Sequence, residues 1–439
     1  MRITSQANRC TAMTLLWVWT LPLAAQQDSE VAATQYAAMS EEISRYEQEL
    51  ASLEGSYNQS SAELYRSLGD IYARMGQGEE AIQAYREALQ ALRIAEGLAS
   101  ENQLSVISKF NGILFEQEAW EELDTNFHLA SDMALRLYGA GDTRYVRAAS
   151  FLASWKIRAY QTGLYRPTGS RSIEEAATIY RRLAENLSPE ESGYNGKLAD
   201  YLSARGLAYF YSASHVANIP VEEFQGTPAN NFYQSCVDTI LSADGSAQPS
   251  SAACQMNNIS DPEFFASKQR DKSNTVRRHL GNMRQSFLEA IEATESNPDA
   301  SVRDMALAIL NYGDANLLAE DYPRARTQYA RAYEMLSADD DLIALRGELM
   351  DKPRKALQGI VGELPFDDLL PSNVSLGTIS FDVTEVGGIE NINIEGSNEA
   401  LAQENIATMA MMLQQSAYRP RIVDGIPVSS RISIASSDL

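Results

Sequence analysis

Few residues in this chain of 439 have the types and spacing to do chemistry. Cys236 and Cys254 lie close together in sequence. In an oxidising compartment such a pair forms a disulfide. A metal site is the rival reading, but no His or third Cys stands near them. His128, His215 and His279 are far apart, and none belongs to a zinc-protease motif. The chain shows no Gly-rich phosphate loop and no nucleophile elbow. His128, beside Phe127, reads as helix packing. Glu79/Glu80 and Glu121/Glu122 read as solvated helix faces. Ala338-Asp339-Asp340-Asp341 suits a calcium loop, but a cap on the following helix suits it better. Met409, Met411 and Met412 suggest copper only weakly against ordinary helix packing. Trp120 and Trp155 read as packing residues, with a ligand platform as the minority alternative. No catalytic constellation emerges, so the expectation is a non-enzymatic chain without a cofactor. The competing class is an enzyme with its active-site loop at 214–273, where nothing beside the cysteines supplies a base.

The formal net charge of −23 argues against nucleic acid and anionic lipid as partners. Residues 1–25 read as a secretory leader: Arg2 and Arg9, an apolar run from Met13 to Leu23, then Ala24-Ala25 before Gln26-Gln27. The run is shorter than the ~20 residues that span a bilayer, and an uncleaved anchor is the alternative. The mature chain is expected in the periplasm, without membrane insertion.

Most of the remainder must be helical scaffold. Glu30–Glu54 lacks Pro and Gly and reads as a leading helix ended by Gly55. Ala62–Ala95 carries Tyr65, Leu68, Gly69, Tyr72, Ala81, Tyr85 and Ala88. Small residues there let two helices approach, and tyrosines fill the space beside them. Gly76 and Gly78 make the turn. Tyr312, Gly313, Ala325, Tyr329 and Ala332 fall at the same offsets farther on, with Asn316 in place of an aromatic. This spacing resembles the tetratricopeptide repeat, a two-helix unit of about 34 residues. A lone repeat cannot bury its apolar face, so others are expected between. Leu104–Phe115 with Trp120–Leu137, and Tyr145–Thr162 with Ile173–Leu187, read as further pairs. Tyr201–Ala213 reads as one helix of a fourth pair, with Thr275–Ala293 as its distant partner. Ser214–Ser273, rich in Pro, Asn and Ser, reads as an insertion. Leu342–Leu364, broken by Pro353, is expected to cap the series.

The C-terminal sixty-odd residues change period. Ile379, Phe381 and Val383 alternate with polar residues, Gly387-Gly388 makes a turn, and Ile392 and Ile394 alternate in a return strand. Ala402, Ile406, Met409 and Leu413 recur at helical spacing. Asp424-Gly425 turns the chain into Pro427–Ile434, where Val428, Ile432 and Ile434 share a face. Phe381-Asp382-Val383-Thr384 with Gly387, Ile389 and Asn391, and Tyr418-Arg419-Pro420 with Asp424-Gly425 and Pro427-Val428, resemble the TonB C-terminal domain over roughly 374–436. The Tyr-Pro usual before the first strand and the Trp usual before the Tyr-Arg-Pro segment are absent.

The expected fold is mainly α: a tetratricopeptide-like α-solenoid over 26–364, then a small α+β (ββαβ) TonB-C-like domain over 365–439. The expected function is a periplasmic adaptor that binds protein or peptide segments of the cell envelope through a groove of the helical repeats and an edge of the small sheet. The resemblance also implies an alternative, energy transduction to outer-membrane receptors. Three strands cannot close, so an edge stays open. Val428–Ile434, including Ser430, is the expected docking edge, with Arg419 and Arg421 available for an acidic residue of the partner. The competing expectation is an edge covered by the helices or by the tail 435–439.

Non-reducing peptide mapping of the exported protein should recover Cys236 linked to Cys254. The loop closed is worth about 3 kcal/mol in the chain-entropy account. Recovery of both cysteines as free thiols would remove the disulfide.

Overall fold

The computed structural model describes residues 21–53, 55–162, 171–188, 193–224, 262–357, 360, 378–395, 413 and 417–435. The described chain is mainly helical, with a few small antiparallel sheets towards the C-terminus. Cys236 and Cys254 lie outside the described residues, as do Ala402, Ile406 and Met409. Packing divides the chain into two compact units, Met1–Leu137 and Tyr138–Leu439.

The first unit holds α1 (Leu21–Ser52), α2 (Gln59–Arg74), α3 (Gly78–Glu96), α4 (Glu101–Glu116) and most of α5 (Trp120–Tyr138). Ala24-Ala25, where processing is expected, fall in the first turns of α1. Helix α2 starts where it does because Asn58 and Ser61 satisfy each other's backbone N–H groups, at 2.9 Å each. Its Ala62, Leu68 and Ile71 are buried, as are Ala81, Tyr85, Ala88 and Leu92 of α3. Gly76, at φ +72°, takes a left-handed turn conformation that a side chain would strain.

The second unit runs α6 (Thr143–Thr162), α7 (Arg171–Asn186), α8 (Tyr194–Asn218), α9 (Pro262–Glu295), α10 (Val302–Leu318), α11 (Tyr322–Leu336) and α12 (Ile343–Met350). Each of α6 to α11 packs against its successor. The expected insertion is narrower than 214–273, because α8 continues to Asn218 and α9 already begins at Pro262. A proline is tolerated at that first helical position, where its missing N–H goes unused. Lys268 and Lys272 donate to the Glu222 and Ala217 carbonyls, tying the start of α9 to the end of α8.

Of the helical cap expected over 342–364, the described residues are helical only to Met350. Asp339 Oδ1 caps a short 3-10 turn at Asp340–Leu342, and α12 buries Leu349 and Met350. Past Pro353 the chain is extended: β1 (Arg354–Lys355) pairs antiparallel with β4 (Tyr418–Arg419). Residue 354 thus joins residues beyond the expected boundary at 364/365. Strands β2 (Thr378–Val383), β3 (Ile389–Glu395) and β7 (Ser430–Ala435) form an antiparallel sheet in the order β3-β2-β7. β5 (Arg421–Val423) and β6 (Ile426–Val428) form a separate hairpin. The run expected as one strand, Pro427–Ile434, is therefore divided between β6 and β7. Ile379, Phe381 and Val383 are fully buried with Leu413 and Tyr418, and Ile432 and Ile434 pack against them. Ile422 belongs instead to the helical core, beside Ile309, Tyr329 and Leu336.

Three helical glycines each lie against an aromatic ring of another helix. A Cβ built on Gly69 would lie 2.8 Å from the Tyr85 ring, one on Gly206 2.7 Å from Phe287, and one on Gly313 2.6 Å from Tyr329. Replacing Gly69 or Gly313 with Leu should cost about 1–3 kcal/mol through overpacking. The measurement is the thermal melt; midpoints equal to the parent's would refute the close approach.

Candidate functional site

The C-terminal β module holds the residues expected to meet a partner, and the structure separates them. Arg421 is exposed and faces Val428 across the β5–β6 hairpin. Ser430, Ile432 and Ile434 lie on β7, which pairs with β2 in unbroken register from Val383↔Ser430 to Thr378↔Ala435. Among the described residues β7 pairs with no other strand, so its outer backbone edge is open within that set. Arg431 and Ser433 are exposed; Ser430, Ile432 and Ile434 are half-buried.

Sheet edge β3 differs. Its register with β2 shifts between Ser380 and Asp382. Asn391 takes φ +52°, which asparagine tolerates better than most side chains, and donates to Asp382 at 2.7 Å. Glu390 and Glu395 are exposed along it. A bulge and two carboxylates make β3 the poorer template for another strand.

Arg419 is not available to a partner, and the expectation for it is corrected. Its side chain is 6% exposed and makes a bidentate ion pair with Asp314, itself fully buried. Arg419 Nε donates to Asp314 Oδ1 at 2.8 Å, and a terminal guanidinium nitrogen donates to Oδ2 at 2.7 Å. Tyr329 Oη donates to Oδ1 at 2.9 Å, and the Leu357 amide donates to Oδ2 at 3.2 Å. Four donors satisfy the carboxylate. Burial first, then the Asp314 charge, hold the Tyr329 phenol well above its usual pKa, so it stays a donor. Leu357 sits at φ +58°, a strained conformation for leucine, where its N–H meets the carboxylate. Sequence reasoning missed Asp314. A signal was present: Gly-Asp occurs at 69–70 and at 313–314, each with a tyrosine fifteen residues after the aspartate.

Tyr65 and Tyr72 are half-buried on α2, while Leu68 is buried. Tyr72 donates to Glu47 at 3.4 Å. Tyr312 is half-buried against the core that holds Ala325 and Ala332. Asn316, in the aromatic's place, donates back to the Tyr312 carbonyl at 2.7 Å.

The histidines stay apart in role. His128 lies 3.7 Å from Asp124 on its own helix. His279 of α9 is buried 3.2 Å from Glu174 of α7, with its ring near Tyr209 of α8. His215 meets the Tyr160 ring edge-on. Trp155 is buried, and Trp120 packs edge-on against Phe115. Among the described residues no group of three His, Cys, Asp or Glu is spaced to hold a metal.

Removing the Tyr329 hydroxyl should cost about 1–3 kcal/mol, since it leaves a dry carboxylate short of a donor. Tyr85→Phe should cost less, because its acceptor Asp70 is part-exposed. Hydrogen exchange in α10–α11 and in α2–α3 compares the two; equal losses would contradict the role of burial.

No protein-family model matches the chain, and no curated protein matches it. Among solved structures it is similar to one described as the crystal structure of BtubC (BKLC) from P. vanneervenii. That match has 12% identity, covers 70% of this chain and 91% of the other, and has a TM-score of 0.33.

Proposed function

We propose that this chain is a non-enzymatic protein-interaction adaptor of the bacterial periplasm, binding an extended segment of a partner along β7. The observation that supports it is the sheet order β3-β2-β7, in which β7 pairs only with β2 among the described residues. An open strand edge offers a row of N–H and C=O groups, and strand addition to such an edge is a recurring mode of peptide recognition. Six register pairs without a bulge keep β7 regular enough to serve as a template. Arg421, on the neighbouring hairpin, takes the role expected for both arginines, that of meeting an acidic residue.

The finer fold belongs to the same proposal. The helical hairpins would be tetratricopeptide-like units of an α-solenoid, and the β module a TonB-C-like domain built from β2, β3, the helix expected from the spacing of Ala402, Ile406, Met409 and Leu413, and β7. The export reading rests on residues 1–25 of the sequence. No helix among the described residues is long and apolar enough to cross a membrane.

A photo-crosslinking residue at Ser433, exposed on β7, should give a discrete adduct with one envelope protein. The same group at Asn393 on β3 and at Gln83 on α3 should not. Absence of any adduct at Ser433, or the same adducts at all three positions, would end the strand-addition proposal.

A further inference from the structure

The two Gly-Asp hairpins share one set of contacts. In each, a glycine lets a tyrosine ring lie against the first helix, and the phenol donates to Oδ1 of the adjacent aspartate: Tyr85 to Asp70 at 2.7 Å, Tyr329 to Asp314 at 2.9 Å. In each, Oδ2 takes a cation. What supplies that cation differs. For Asp70 it is Lys109, from the next helix, α4. For Asp314 it is Arg419, from the β module.

The apolar contacts follow the same division. Phe110 of α4 packs its ring 5.8 Å from Tyr85 in the first hairpin. In the last, Ile422 of β5 enters the core with Tyr329, Ala332 and Leu336. The β module's turns are also fitted to this hairpin. A Cβ on Gly387 would strike Leu317 of α10 and the Tyr418 carbonyl oxygen, each at 2.7 Å. One on Gly425 would lie 3.2 Å from Ala330 Cα of α11. Both glycines sit at positive φ, so they combine a turn with a close approach. Tyr333 of α11 donates to Asp424 at 3.0 Å beside the second turn.

We infer that the β module is the terminal cap of the helical hairpins, its Arg419 and Ile422 taking the place that a following helix takes on the first hairpin. A series of hairpins must cover the apolar face of its last member. Here α12, through Leu349 and Met350, and β5, through Ile422, cover it together, and the Asp314 acceptor is closed by the chain's own Arg419. A partner is then confined to the sheet's outer edge and to other helices. The inference stands on the internal comparison and does not require the adaptor proposal.

Hydrogen exchange on the full chain tests it without any partner. Arg419→Gln leaves Asp314 as a buried charge without its counter-ion, and should speed exchange about tenfold or more across α10, α11 and residues 417–428. Helices α2 to α4 should keep parent rates. Asp314→Asn combined with Arg419→Gln makes a neutral pair and should recover most of the protection. Lys109→Gln should change α2–α4 by no more than about twofold, because that pair is half-exposed. Should the single arginine variant fail to fold, Gly425→Leu lifts the β5–β6 turn from Ala330 and should loosen the same helices. Acceleration confined to 417–428, with α10 and α11 at parent rates in these variants, would overturn the cap. So would a double variant no better protected than Arg419→Gln alone.

Discussion

The Asp314 carboxylate is the constraint around which the C-terminal half is arranged. Taking a carboxylate out of water costs several kcal/mol, and the cost is offset only where its oxygens are fully bonded by well-placed donors. Here the donors come from three separate places: Tyr329 on α11, the Leu357 amide just past β1, and Arg419 on β4. No one of these segments can leave without exposing or orphaning the charge. That explains why β1, which follows α12, pairs with β4 rather than continuing as helix. It also explains how a leucine is held at positive φ: the local strain is small beside the penalty of an unfilled acceptor.

Glycine against aromatic is the second recurring constraint. The contact between Gly69 and Tyr85 closes over a short turn, as does that between Gly313 and Tyr329. The Gly206–Phe287 contact closes over a much longer connection. Loop-closure entropy grows only with the logarithm of length, so the same packing can hold a pair of helices across residues 219–261. Polar contacts reinforce that pair: Arg205 reaches both Ser286 and Glu289. Helix α7 is fastened on two sides by adjacent glutamates. Glu174 reaches His279 of α9, and Glu175 reaches the buried Lys156 of α6 at 3.1 Å. Side chains one apart on a helix diverge in direction, which lets two acids hold two neighbours.

These features give the two halves of the proposed adaptor different characters. The helical part is closed by tight, specific packing, and its buried Asp314 is paired with an arginine of the β module. The sheet is apolar on one face, where Phe381 and its neighbours are dry, and polar on the other, where Ser380 and Ser433 bond at 2.7 Å. A half-exposed antiparallel sheet of this kind tolerates an added strand without exposing its core.

Local pattern was enough to find the helices of the hairpins, the glycine–tyrosine pairs at 69/85 and 313/329, and the buried face of β2. Each of these rests on a period of 3.6 or of 2, which neighbouring residues carry within a few turns or strand positions. Pattern failed at Arg419, at the stretch after Pro353, and at the ends of α8 and α9. A two-residue strand has no period from which to tell its dry side, so Tyr418-Arg419 could equally have faced water. What turned Arg419 inward is a carboxylate 105 residues earlier in the chain. What made β1 a strand is its partner β4, more than sixty residues later. Those are long-range pairings, and the cost of taking their polar groups out of water is offset only when the partners meet in the folded chain.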